Sequence, residues 1–382
     1  MAALPDSAGA PPADSARLPG RRLDLDQVVA GLRAARERWR ETQQRLREPG
    51  GRELPSREAL ADIIDGLRGA LFPMRLGPPE LRQESEDYYV GHTLDSVLSA
   101  LRAQVRLELR HGARTSGLPT LDADARAQAI VHDFALALPR IRTLLDSDVL
   151  AAFHGDPAAR SVDEVLLCYP GIRATINHRI AHQLYRQGVP LLARVIAEQA
   201  HGETGIDIHP GAQIGPGFFI DHGTGVVIGE TAEIGANVRL YQAVTLGARR
   251  FETDADGHLQ KGGARHPKLE DDVVVYAGAT ILGRVTIGRG SSIGGNVWLT
   301  RSVPPGSHIT QASTRDSATV ATRPDPSIDA LARAPFPVPT PRRLPPWPNP
   351  LPRNSRWATT PRASWPMPRR PRRRCPPSAR AG

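Results

Sequence analysis

Residues 269–303 read LEDDVVVYAGATILGRVTIGRGSSIGGNVWLTRSV. Leu269, Val275, Ile281, Ile287, Ile293 and Leu299 recur every six residues without a slip. A second lane, four residues later, holds Val273, Ala279, Val285, Ser291, Val297 and Val303. Ile208, Ile214, Ile220 and Val226 keep the same period upstream, and after a two-residue shift of phase Ile228, Ile234, Leu240 and Leu246 resume it. A period of six is neither the 3.6 of a helix nor the 2 of a strand. It fits stacked coils of short strands and tight turns, with one aliphatic per hexad in a shared core. An ordinary sandwich would place its turns every 8–12 residues at irregular spacing.

Working outward, residues 21–205 are rich in Leu, Ala, Arg and Glu and read as helices. Leu23, Val28, Val29, Leu32 and Ala35 form one apolar stripe, and Leu60, Ile63, Ile64, Leu67 and Leu71 another, which Pro73 stops. Further helices are expected near Leu94–Leu109, Ala125–Leu138 (ending before Pro139), Ile141–Phe153, Ile172–Gln187 and Leu191–Ala200. Cys168 is expected in a buried helix position and Cys375 in an exposed tail. The predicted fold class is α+β. A helical N-terminal domain (21–205) precedes a β-helix (206–310), with disordered segments at 1–20 and 311–382.

Composition excludes several classes. The chain has 382 residues and a formal net charge of +9. Residues 335–382 hold 11 Arg, 15 Pro and no acid, so the other 334 residues carry a net charge of −2. A near-neutral body with a basic tail does not suggest a nucleic-acid partner. That tail cannot pack a core. With 2 Cys there is no disulfide framework. No apolar run reaches the roughly 18 residues of a membrane span, and no secretory leader is evident. The expectation is a cytoplasmic protein.

Specific motifs sit within the hexads. Asp207-Ile208-His209-Pro210, Asp221-His222-Gly223-Thr224-Gly225, Gly229-Glu230-Thr231, Gln242 to Gly247 and Arg265-His266-Pro267-Lys268 together resemble the serine O-acetyltransferases. The resemblance covers about residues 150–310. It implies a left-handed parallel β-helix, a homotrimer or a dimer of trimers, and transfer of acetyl from acetyl-CoA to the L-serine hydroxyl. No permanently bound cofactor and no metal are implied. In that family His222 would be the general base and Asp207 its orienting carboxylate. A histidine of near-neutral pKa suits deprotonation of a serine hydroxyl, and a carboxylate on its other nitrogen would fix the tautomer. Because the thioester is already activated, direct attack in a ternary complex suffices. The resemblance also places Arg265 on the substrate carboxylate, His266 as a further substrate contact, and Asp221 and Asp156 at the amino end. Gly247, Ala248, Ala277 and Gly295 would line the acetyl-CoA groove.

Two departures stand out. Residues 249–262 form a longer insert than the common family loop, and we expect it to cover the thioester. The chain ends Ala379-Arg380-Ala381-Gly382, without the terminal isoleucine by which relatives dock to O-acetylserine sulfhydrylase, so docking by that route is not expected. Three other readings compete: a hexapeptide acyltransferase with a different acceptor, a carbonic-anhydrase-like β-helix with zinc on His209, His222 and His266, and a non-catalytic trimerisation rod.

Overall fold

The computed structural model describes residues 25–42, 54–115, 122–249 and 262–312, all within one unit spanning residues 1–341. The expectations for 1–20, for most of the 249–262 insert and for the tail beyond 312, Cys375 included, lie outside these residues. The helices are α1 (Leu25–Thr42), α2 (Arg57–Leu71), α3 (Pro73–Leu76), α4 (Glu86–Thr115), α5 (Ala123–Gly155), α6 (Val162–Cys168), α7 (Pro170–Arg186) and α8 (Pro190–Thr204). Fourteen short strands follow among the described residues. They are β1 (Asp207–Ile208), β2 (Gln213–Ile214), β3 (Phe219–Ile220), β4 (Val227–Ile228), β5 (Glu233–Ile234), β6 (Arg239–Leu240) and β7 (Thr245–Gly247). The second half comprises β8 (Lys268–Leu269), β9 (Val274–Val275), β10 (Thr280–Leu282), β11 (Thr286–Ile287), β12 (Ser292–Ile293), β13 (Trp298–Leu299) and β14 (His308–Ile309).

The strands pair in parallel into three sheets that form a three-sided prism. The first sheet is β1-β4-β7-β10-β13, the second β2-β5-β8-β11, and the third β3-β6-β9-β12-β14. Register stacks like on like: Ile208 on Ile228 on Leu246 in the first sheet, and Ile220 on Leu240 on Val275 in the third. These inward residues and the second lane form one continuous core from Ile206 to Val303. Each buried aliphatic contributes about 1.5–3 kcal/mol. Because every strand offers one inward side chain, a slip of one residue would expose a whole ladder, and the hexad therefore fixes the register.

The helices build a second core, in which Phe134, Leu145, Ile180 and Leu192 are fully buried. Three details differ from the sequence expectation. The two helices expected on either side of Pro139 are one, α5. Phe134, Leu138, Ile141 and Leu145 bury one unbroken stripe across the proline, while Pro139 itself is exposed. Packing of that stripe outweighs the lost hydrogen bond, whose carbonyl partner can face water. Cys168 is exposed at the end of α6 rather than buried. The apolar stripe of the first helix does not enter a core, since α1 has no buried residue and Leu25, Val28, Val29 and Leu32 are exposed.

The helical and strand regions are locked together beside the prospective site. Gly171, in the first turn of α7, lies so close to Ile220 that a Cβ would stand 2.3 Å from the Ile220 carbonyl oxygen. Gly155, at the end of α5, is held against Phe219 of β3.

Candidate active site

Two polar clusters occupy two different edges of the prism. The first lies where the third sheet turns into the first. Eight residues separate the inward Ile220 and Ile228, whereas six separate Leu240 and Leu246, so this corner contains two additional residues. His222 sits in that bulge with φ +58°, followed by Gly223 at +94° and Gly225 at +79°. A non-glycine residue in the left-handed region carries local strain. Here it turns the imidazole out to solvent, with a side-chain exposure of 73%. Asp221 beside it is buried, and its Oδ1 lies 3.7 Å from His222 Nδ1.

Asp156 reaches the same corner from the end of α5. Its Oδ2 accepts from the Tyr169 hydroxyl at 2.5 Å and its Oδ1 from the Ala158 N–H at 2.8 Å. The Tyr169 bond, the Ala158 bond and, more weakly, the charges of Arg239 and His222 hold the Asp156 carboxyl below the usual range. The same Asp156 carboxylate pushes the Tyr169 phenol up to about 12. Arg239 joins Asp221 to the backbone just before Asp156: Nη2 donates to Asp221 Oδ2 at 2.5 Å and Nη1 to the Gly155 carbonyl at 2.6 Å.

The second cluster lies where the first sheet turns into the second. Arg265 Nη2 donates to Glu230 Oε2 at 2.6 Å, and the Tyr185 hydroxyl donates to Glu230 Oε1 at 2.8 Å. His266 is buried flat over Gly229. Its Nδ1 accepts from the Thr231 N–H at 3.1 Å, so the network assigns the proton of the neutral ring to Nε2. Burial, reinforced by the Arg265 charge, lowers His266 to about 4, and it is neutral at pH 7. Thr231 Oγ1 also accepts from the backbone N–H groups of Arg265 at 2.9 Å and His266 at 3.2 Å. One threonine thereby sets both side chains. His209 lies at the same edge, its ring edge-on to Tyr185, and burial lowers it to about 4.

The structure thus brings His222, Asp221 and Asp156 together on one edge, and Arg265 and His266 on another. It does not bring the two sets together within one chain. Asp207 stands outside both sets. It sits with Glu198 and His201 of α8, with prospective ligand atoms within 4.8 Å of one another, and the carboxylate within 4 Å of the His222 ring is that of Asp221. His209, His222 and His266, nominated for zinc, divide between the two edges and do not converge within a chain. Of the small residues expected against acetyl-CoA, Ala277 and Gly295 stack on the His222 edge, where Asn296 N–H donates to the Ala277 carbonyl at 2.9 Å. Gly247 and Ala248 follow the first sheet toward the Arg265 edge. Sequence reasoning missed Arg239, Tyr169, Tyr185 and the roles of Glu230 and Thr231. The spacing offered no signal for Arg239, since the two extra corner residues make this turn 20 residues long and stack Arg239 on Phe219 rather than on Asp221.

The chain is similar to several known proteins. Residues 266–301 match the family model described as bacterial transferase hexapeptide (six repeats). The chain is 60% identical over 265 residues to the plasmid serine acetyltransferase of Synechococcus elongatus, covering 69% of this chain and 83% of that protein. It is 49% identical over 163 residues to the serine acetyltransferase of Mycobacterium tuberculosis, covering 43% of this chain and 67% of that one. Among solved structures, Entamoeba histolytica serine acetyltransferase 1 in complex with L-cysteine superposes with a TM-score of 0.57 at 35% identity, covering 65% of this chain and 86% of the other.

Proposed function

The chain belongs to the serine acetyltransferase family and is an acyltransferase, and from that premise we propose the following mechanism. Acetyl passes from acetyl-CoA to the L-serine hydroxyl, giving O-acetyl-L-serine and CoA, at a site shared between neighbouring copies in a homotrimer. The observation that carries the shared site is the division of the polar groups between two prism edges. In a closed three-fold ring, one subunit's first-to-second edge can face its neighbour's third-to-first edge. Asp221 and Asp156 then meet the serine ammonium, and Arg265 of the adjoining copy pairs with its carboxylate. The regions divide the work: 21–205 braces the corner, and 206–310 carries it.

His222 takes the hydroxyl proton as the serine oxygen attacks the thioester carbon. The new C–O bond forms, the C–S bond breaks, and the proton passes to the departing thiolate. Neutral His266, with its donor at Nε2, suits the oxygen that gains charge in the transition state. Asp207 is assigned to orient His222. The acetyl-CoA arm fits the stacked Ala277–Gly295 corners, where a Cβ at Gly295 would meet only the Ala277 carbonyl oxygen, at 3.2 Å. Small side chains there leave the backbone open to a narrow ligand. Among the described residues no helix is long and apolar enough to cross a membrane. The low cysteine count is compatible with the cytoplasmic location proposed here.

The test is thiol release from acetyl-CoA, with and without L-serine, for the wild type and His222→Ala. Serine-dependent release that collapses in the variant supports both the reaction and the base. Release that survives removes His222 from the mechanism, and release that does not depend on serine rejects the acceptor.

A further inference from the structure

Arg239 is placed for a task that the transfer chemistry does not itself require. It projects from β6 on the outer face of the third sheet, directly over Phe219 in the strand register. Its guanidinium carbon lies 4.9 Å from the Phe219 ring centroid and 4.6 Å from that of Tyr241. Two aromatic faces thus fix the plane of the fork. One prong holds Asp221 Oδ2, and the other holds the carbonyl of Gly155, the residue before Asp156. Asp221 is left with Oδ1 directed at His222, and Asp156 is steadied from its other side by Tyr169.

We propose that Arg239 is a positioning residue for the amino-acid substrate: it ties Asp221 to the backbone that carries Asp156 and offsets one of the two carboxylate charges that receive the ammonium. Two carboxylates from elements 65 residues apart would repel when the site is empty. With the arginine between them the corner keeps a net charge of −1, matched to one ammonium group. The inference rests on the assignment of Asp156 and Asp221 to that ammonium. Lysine could keep the charge, but as a single point it could not hold both acceptors in one plane.

The experiment compares Arg239→Met and Arg239→Lys with the wild type in the thiol-release assay, measuring kcat and the KM for each substrate. Arg239→Met should raise the serine KM about 10-fold or more, as expected for loss of a charge-assisted hydrogen bond. The acetyl-CoA KM should stay within about twofold. Arg239→Lys should also raise the serine KM while leaving the acetyl-CoA KM within about twofold. A serine KM matching the wild type in Arg239→Met would overturn the inference, as would equal rises in both KM values. If the methionine variant does not fold, a folded Arg239→Lys with the wild-type serine KM overturns it. Lack of serine dependence in the wild type would overturn the substrate assignment together with this inference. Wild-type dependence with unmoved variants overturns this inference alone.

Discussion

Arg179 and Asp148 form a two-pronged ion pair sealed between the helices and the β-helix, with Nε to Oδ2 at 2.6 Å and Nη2 to Oδ1 at 2.8 Å. Both side chains are almost wholly buried. Arg179 also donates to the carbonyls of Ile214 and Gly215, and Asp148 accepts from the Phe218 N–H. The pair thereby joins α5 and α7 to the turn before β3, the strand that leads into the His222 corner. Arg179→Met should cost about 3–5 kcal/mol in denaturant unfolding, because it leaves a buried carboxylate without its partner. The double variant Arg179→Met/Asp148→Leu should cost less than the single one. Equal losses in the two would contradict this view of the pair.

Glu108 gives the helical core a pH dependence of unusual sign. Its carboxylate is buried and accepts from the N–H groups of Leu191 and Leu192 at the start of α8, both at 2.8 Å. Burial raises it from 4.5 to about 7 despite those two bonds. The native state therefore holds a proton that the unfolded state has already released between pH 4.5 and 7. The contribution to stability is complete below pH 4.5 and is lost as pH rises to 7, up to about 3 kcal/mol. Melting temperatures of the wild type and Glu108→Gln at pH 5 and pH 8 check this. The wild type should lose more on going to pH 8, and parallel behaviour would contradict the prediction.

Gly229→Ala should damage the substrate-carboxylate edge selectively. A Cβ there would stand 1.9 Å from His266 Cδ2 and 2.1 Å from Nε2, so the ring must move. Its Nδ1 is anchored on Thr231, and displacement breaks that bond. A stability loss of about 1–3 kcal/mol is expected. The fall in kcat/KM for serine should exceed what the lost folded fraction explains. A folded variant with wild-type kinetics would remove His266 from the site.

Most of the fold is legible because the β-helix is periodic. One inward aliphatic per strand lets a spacing of six dictate which residues stack: Leu269 on Ile287 follows from counting alone, whereas Ile208 stacks on Ile228 only once the two-residue shift of phase is added. The lapse between Ile220 and Ile228 is legible as well: it marks the widened corner that turns His222 outward. Pro139 misled because a local rule was applied without weighing the stripe from Phe134 to Leu145. Arg239 was unreadable as a site residue, since its partners include Gly155, 84 positions away across the helix–prism junction. That His222 and Arg265 belong to different edges became clear only once the strands were assigned to sheets.

That separation permits the most direct test of a shared site. His222→Ala and Arg265→Ala, each inactive alone, would be unfolded together, refolded as mixed oligomers and assayed with L-serine and acetyl-CoA. With the two edges supplied by neighbouring copies, equal mixing should restore about a quarter of the wild-type sites. No recovery in verified mixed oligomers would mean that both residues act within one chain, contradicting the shared site.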